Sequence, residues 1–290
     1  MAHSSTAHAK PHRSANLIRK ALGQVAEHAV LLALLAIVLL PIAIIFLTAF
    51  MSSAQASTGR LWPDPIQLSN FADVLQRVPF ARYFFNTVLI SSATALLTVL
   101  SSVPAAYALA TLRFKGRNWL FLVVIATMML PAQVVVIPLY VMYSNLGLVG
   151  TPLPLLLPPL FMDAFSIFLL RQFFVSIPMS YIESARIDGA SELRILIRVF
   201  LPMVKSAVMA VALFSFFYAW NDFFNPLLYL SGNEDWYTLS LGLANFKGSH
   251  GVEWNVMMAA TLLFILPVIV VFFLAQKAFV EGISLTGVKG

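Results

Sequence analysis

Residues 178–202 read Pro178-Met179-Ser180-Tyr181-Ile182-Glu183-Ser184-Ala185-Arg186-Ile187-Asp188-Gly189-Ala190-Ser191-Glu192-Leu193-Arg194-Ile195-Leu196-Ile197-Arg198-Val199-Phe200-Leu201-Pro202. Pro178 suits the first turn of a helix, where its missing N–H costs nothing. Gly189 suits a helix C-terminus or a sharp bend. Ser191 can cap a second helix, with Glu192 favourable in its first turn. Pro202 ends that element and opens the apolar run that follows. The stretch predicts two short amphipathic helices meeting at a glycine. Apolar runs of spanning length lie on both sides, so the pair is displayed at a membrane surface as a rigid protrusion able to fill a groove on a partner. A force applied there passes directly into the next span.

Outward from this island the chain is apolar. It has 290 residues, 60% hydrophobic and 10% charged, with mean hydropathy +0.87, whereas soluble domains carry roughly 25% charged residues. So few charges cannot cover a water-facing surface, and lipid must be the solvent. Apolar runs recur at 28–50, 83–112, 119–142, 154–177, 204–230 and 256–278. At about 20 residues per crossing, six helices with their loops use up nearly the whole chain. The expected fold class is an all-α membrane protein with six transmembrane helices. A cytoplasmic tail (1–27), with a short interfacial helix near 17–25, precedes a six-helix bundle (28–278) that includes the loop 178–203, and a second tail (279–290) follows. Pro41, Pro104, Pro131, Pro138 and Pro267 are kinks that packed membrane helices tolerate. Ala54-Gln55-Ala56 has the form of a signal-peptidase site, but the preceding run is longer than an ordinary signal core, which favours an uncleaved first span.

The net charge of +6 and pI near 9.7 invite a nucleic-acid reading, which the charge distribution removes. Most of the 18 Lys and Arg residues fall on segments that share one side, including Arg113, Lys115 and Arg117 on one loop and Arg186, Arg194, Arg198 and Lys205 on another. Basic residues mark the cytoplasmic side; both termini are expected there. The absence of cysteine excludes disulfides and thiol-based metal or redox chemistry.

Two outer segments exceed simple turns. Residues 51–82 read as an ordered loop with a short helix near 71–75. Residues 231–255 carry Glu234, Asp235, Trp236, Tyr237, Lys247 and Trp254, and polar loops rich in aromatics suit protein or ligand contact. An interfacial aromatic belt is the competing reading for the tryptophans. Asp163, Asn221, Asp222 and Asn225 sit in or near apolar runs, and Asn86 is a weaker member of the group. A charge at mid-bilayer costs about 2.5–3.5 kcal/mol on insertion scales, so these groups either line a solute pathway or bond between helices. No Gly-x-x-x-x-Gly-Lys-Ser/Thr sequence is present, so ATP binding by that route is excluded. No nucleophile–base set and no metal-ligand pair stands out, which leaves no catalytic residue and no metal site to propose. A proton-coupled secondary carrier using Asp163 or Asp222 remains the alternative reading.

Glu183-Ser184-Ala185, three residues, Gly189, nine residues and Val199-Phe200-Leu201-Pro202 resemble the signature of permease subunits of binding-protein-dependent ABC importers. That signature runs Glu-Ala-Ala, three residues, Gly, nine residues, Ile-x-Leu-Pro. Ser184 and Val199 depart from it while keeping size and shape. Arg171-Gln172-Phe173-Phe174, Ile137-Pro138-Leu139-Tyr140, Trp220-Asn221-Asp222-Phe223 and the final Val288-Lys289-Gly290 are similar to the carbohydrate-uptake branch, specifically the smaller permease of maltose-type importers. The resemblance implies the type I importer permease fold in a bacterial cytoplasmic membrane. It implies that Glu183, Ser184, Ala185, Gly189 and Ala190 form a helix docked in an ATPase groove, with Asp188 shaping its end and Leu201 and Pro202 tying it to the fifth span. By the same resemblance, the loop bearing Glu234 to Tyr237 and Lys247 meets an extracytoplasmic solute-binding lipoprotein, and Lys289-Gly290 touches the ATPase. The implied partners are a second, different permease, two ATPase subunits that bind the ATP and Mg, membrane lipid and the solute. No cofactor is expected in this chain. Sugars, amino sugars, polyols and glycerophosphate-type solutes all fit.

Overall fold

The computed structural model describes the backbone of residues 12–244, 247–248 and 251–287, and side chains within 22–131, 133–244 and 253–276. Helix α1 (His12–Ala49) is one rod. The expected short interfacial helix and the first span are therefore continuous. The reason is local: residues 17–27 are mostly strong helix formers, with Gly23 the one weak position. None of the apolar window of α1 within Leu22–Ala49 is buried, and among the described residues it packs chiefly against the last helix.

The first outer segment holds α2 (Ser53–Ala56), closed by a reciprocal Ser52–Gln55 cap, and α3 (Ser69–Arg77). Asn70 of α3 is buried and donates to the carbonyls of Ala49 and Met51, both at 2.8 Å, while accepting from Asn255 at 2.9 Å. This pins the short expected helix to the outer ends of the first and last spans.

Helix α4 (Phe80–Thr111) is the centre of the fold. Its buried Thr87, Ser91, Thr94, Thr98 and Ser102 recur three or four residues apart, which places them on one face. Small residues let helix backbones approach closely in a bilayer. The next helices are α5 (Arg117–Thr127), α6 (Ala132–Asn145), α7 (Leu153–Phe161) and α8 (Ala164–Val175). The expected third span is thus two helices, separated before Pro131, the N-cap of α6; proline disfavours helical geometry in the residue before it. The fourth bends at Met162, whose φ of 144° is strained for a side-chain-bearing residue.

Helices α9 (Ser180–Ile187) and α10 (Glu192–Ile195) form the expected hairpin; α10 widens into a π-turn over Leu196–Phe200 and reaches α11 (Leu201–Met203). Helix α12 (Lys205–Asn221) leaves at 85°. Two placements differ from expectation. Pro178 lies just ahead of α9, whose N-cap is Met179, and not in its first turn; a proline disfavours helical geometry in the residue before it, which suits the break between α8 and α9. Pro202 sits inside α11, and the corner falls at Val204 (φ −111°, ψ 17°); the wide turn ahead of Pro202 absorbs its missing N–H.

The fifth span is also interrupted, at Asp222–Phe223, before α13 (Phe224–Leu230). A 3-10 turn (Glu234–Trp236), α14 (Leu239–Ala244) and the two-residue antiparallel strands β1 (Lys247–Gly248) and β2 (Gly251–Val252) lead to α15 (Trp254–Gly287). Among the described residues, four helices have spanning length and composition, or five if the bent pair around Val204 is one crossing. The number six is not reached by single unbroken helices, because the third and fifth runs are each divided. Helix α4 packs most extensively on α12 and α8, and the main core cluster gathers at the end of α4 that meets the hairpin.

Candidate functional site

The turn between α9 and α10 is set by backbone chemistry. Gly189 has φ +76°; its N–H bonds to the Arg186 carbonyl, and the Ala190 N–H reaches back to the Ala185 carbonyl, both at 3.0 Å. Those two bonds are the Schellman pattern, which needs a left-handed residue where Gly189 stands. A Cβ there meets nothing within 4 Å, so conformation, not space, demands glycine. Ser191 occupies the N-cap of α10 in extended geometry but makes no side-chain capping bond. Glu192 behind it is engaged elsewhere.

The hairpin has two faces. Ile182, Ile195 and Phe200 are completely buried in the cluster that includes Tyr107, Ile167 and Phe174. Phe200 meets Tyr107 and Phe174 edge-on, each with centroids 5.2 Å apart. Ala185, Ala190 and Leu201 pack against this cluster. The opposite face shows Tyr181, Glu183, Ser184, Asp188 and Gly189 to the exterior, with Ile187 86% and Leu193 66% exposed. Pro202 is exposed as well.

A polar clip joins the two helices to each other and to α4. Arg186 Nε donates to Glu192 Oε1 at 2.7 Å, and the Tyr107 hydroxyl donates to Glu192 Oε2 at 2.7 Å. The Arg186 guanidinium, assisted by the Tyr107 hydroxyl, holds the Glu192 carboxyl below its ordinary value, while Glu192 raises Arg186. Neither Tyr107 nor the union of this pair stands out in the motifs of the sequence. An arginine and a glutamate flanking the hairpin glycine were the available signal; an aromatic at the inner end of an apolar run gave none.

At the outer end of α4 a second set of bonds holds the segment after α13. Buried Asn86 Nδ2 donates to the carbonyls of Asp235 (2.8 Å) and Tyr237 (3.0 Å). The Leu239 N–H donates to Thr87 Oγ1 at 2.8 Å. Arg82 pairs with Asp235, and the rings of Tyr83 and Tyr237 lie 5.9 Å apart. Glu234 is exposed and Trp236 half-buried. Gly242 packs so tightly that a Cβ would lie 2.5 Å from the Tyr83 ring. The side chain of Lys247, together with Lys289 and Gly290, falls outside the described residues.

Asp163 and Asp222 both stand where a helix restarts. Asp163 accepts from the Ser166 N–H at 2.8 Å; Asp222 accepts from the Asn225 N–H (3.2 Å) and side-chain amide (2.8 Å). Asn221 donates to the Phe217 carbonyl at 2.8 Å.

Residues 102–285 match the family described as the binding-protein-dependent transport system inner membrane component. The arabinooligosaccharides transport system permease protein of Halalkalibacterium halodurans is 32% identical over 79% of this chain and 81% of that protein. The sn-glycerol-3-phosphate transport system permease protein of Shigella flexneri is 31% identical over 89% and 94%. A solved bacterial ABC transporter involved in import of the acidic polysaccharide alginate contains a chain 27% identical to this one, with TM-score 0.79 over 93% of this chain and 99% of that one. The fold is that of the type I importer permeases, and the hairpin motif, the shared length and the family match converge: the chain belongs to the binding-protein-dependent transport system inner membrane components, the permease subunits of ABC importers.

Proposed function

We propose that this chain is one of two different permeases in an ATP-driven importer of a sugar or sugar-like solute. The proposed assembly adds two ATPase subunits, which bind the ATP and Mg and carry out hydrolysis, and an extracytoplasmic solute-binding lipoprotein. Relatives named for arabinooligosaccharides, diacetylchitobiose and glycerol-3-phosphate support the solute class. We place the chain in the bacterial cytoplasmic membrane with both termini inside and six crossings, the third and fifth built from broken helices.

The carrying observation is the two-faced hairpin. Its inner face is sealed into the bundle by Ile182, Ile195 and Phe200, while Ile187 and Leu193 are bare on the other. An exposed apolar face on a rigid element calls for a partner, and the ATPase groove is the partner that the family's transport cycle requires. Glu183, Ser184, Ala185, Asp188, Gly189 and Ala190 form the docking element in this reading, and Leu201 and Pro202 carry its movement into α12. The loop bearing Glu234, Asp235, Trp236, Tyr237 and Lys247 meets the binding protein, and Lys289 and Gly290 contact the ATPase. The helix-capping bonds of Asp163 and Asp222 favour a packing role for these residues over proton carriage, and the family match lends nothing to the secondary-carrier alternative.

The test is Gly189→Asp in the assembled importer. Membrane insertion is expected to persist while ATP hydrolysis and uptake come apart. Normal uptake by that variant overturns the coupling role.

A further inference from the structure

The two fastened segments hang on one helix. At the outer end of α4, Asn86 and Thr87 bond the loop at Asp235, Tyr237 and Leu239. At the inner end, Tyr107 bonds Glu192 of the hairpin. Asn86 and Tyr107 are about 31 Å apart along the axis, at about 1.5 Å per residue, which matches the hydrocarbon thickness of a bilayer. Between them α4 is unbroken despite Pro104, whereas the third, fourth and fifth runs are all interrupted. An unbroken helix packed on both α8 and α12 transmits displacement along its axis; a broken one absorbs it in the break.

From this arrangement we infer that α4 is a strut locking the outer loop to the cytoplasmic hairpin, with Asn86 and Tyr107 as positioning residues at its two ends. The inference rests on the coupling reading above. Nucleotide-driven movement of the hairpin then reaches the outer face through α4 as one rigid displacement, and it needs both end fastenings. Burial at the inner end and the Thr87 and Arg82 contacts at the outer end keep both segments attached, so losing either fastening slackens the path, and losing the second adds little. A pair of residues that merely stabilise their own surroundings behaves differently, because effects at sites this far apart ordinarily add.

The chain carries no cysteine, so a single exposed Glu234→Cys reports on the outer loop by its rate of maleimide labelling. The experiment uses the full importer in membranes, with and without a saturating, magnesium-bound, non-hydrolysable ATP analogue. The unaltered strut is expected to change the labelling rate on nucleotide binding by about fivefold or more, the lower end of ordinary coupling energies. Tyr107→Phe keeps the ring against Phe200 and removes only the hydroxyl; Asn86→Ala removes both outer donors. Each is expected to lower the response clearly, with the double variant little worse than the poorer single one. Thr87→Val, which is close in shape and removes a different outer bond, repeats the outer test should Asn86→Ala assemble poorly. A full response in Tyr107→Phe, or losses that simply add in the double variant, overturns the strut. The separate case is marked by Gly189→Asp: if the unaltered protein shows no response, or if Gly189→Asp leaves it intact, the coupling reading itself has failed.

Discussion

The hairpin under the membrane and the loop above it are both tied to α4, yet by opposite chemistry. The hairpin is held by apolar burial, with Ile182, Ile195 and Phe200 fully enclosed and one polar clip at Glu192. The outer loop is held chiefly by directional bonds from Asn86 and Thr87 to its backbone, with Tyr83 as the main ring contact. Burial is non-directional and roughly proportional to area, so the inner joint tolerates small shifts of one helix on another. Hydrogen bonds fix distance and angle, so the outer joint sets the register of a loop that also buries Leu239 and Leu241. The difference separates a joint that carries load from a joint that sets alignment.

Four tests break or sharpen this contrast. The largest effect is expected for Phe200→Ala, which leaves a cavity between Tyr107 and Phe174 and costs about 3–5 kcal/mol by the usual cost of truncating a buried aromatic. Denaturant unfolding of the purified chain measures it, and a loss below about 1 kcal/mol would remove burial as the inner fastening. Gly242→Ala comes next: its Cβ would press on the Tyr83 ring at 2.5 Å. Overpacking of this kind costs about 1–3 kcal/mol, and a variant with an unchanged unfolding midpoint shows that the outer joint yields where rigid alignment is claimed.

Gly189→Val is expected to cost about 1–2 kcal/mol through its left-handed φ, with Gly189→Asn costing distinctly less because asparagine tolerates that region. Equal losses from the two, read as thermal midpoints, would mean that contacts rather than conformation demand the glycine. The smallest effect concerns acid. Arg186 lowers the Glu192 value in the folded protein, so the clip's contribution is complete above the ordinary carboxylate value of about 4.3. It is lost as pH falls through the lower folded value. The midpoint difference between the unaltered protein and Glu192→Gln is therefore expected to be constant from pH 6 to 8 and to shrink toward zero in strong acid. A difference that changes between pH 6 and 8 points to another titrating group.

The hairpin was nearly complete in the sequence because its determinants are local: a glycine at the left-handed position, prolines near both ends, and apolar residues at helical spacing. Its caps were less legible. Ser191 has the right backbone geometry for its cap without the side-chain bond, since Glu192, whose place was argued from the helix dipole, is turned toward Arg186 and Tyr107. Asn86 was seen only as a polar group in an apolar run, because its partners lie about 150 positions away in the chain. The apolar runs showed where helices form but not that the third and fifth divide, because a proline can kink a helix or end it depending on what packs around it.

Composition and local pattern thus determined by themselves that this chain lives in lipid, that it is helical, and that a glycine-centred hairpin interrupts it on the basic side. Only the tertiary structure decided which of the apolar helices is central. None of the α1 window is buried while 39% of the α4 window is, because hydropathy reports whether a residue avoids water and says nothing of whether lipid or another helix covers it. The same holds for the union of Asn86 and Tyr107 into one device, which exists only once α4 stands unbroken between two segments distant in the sequence.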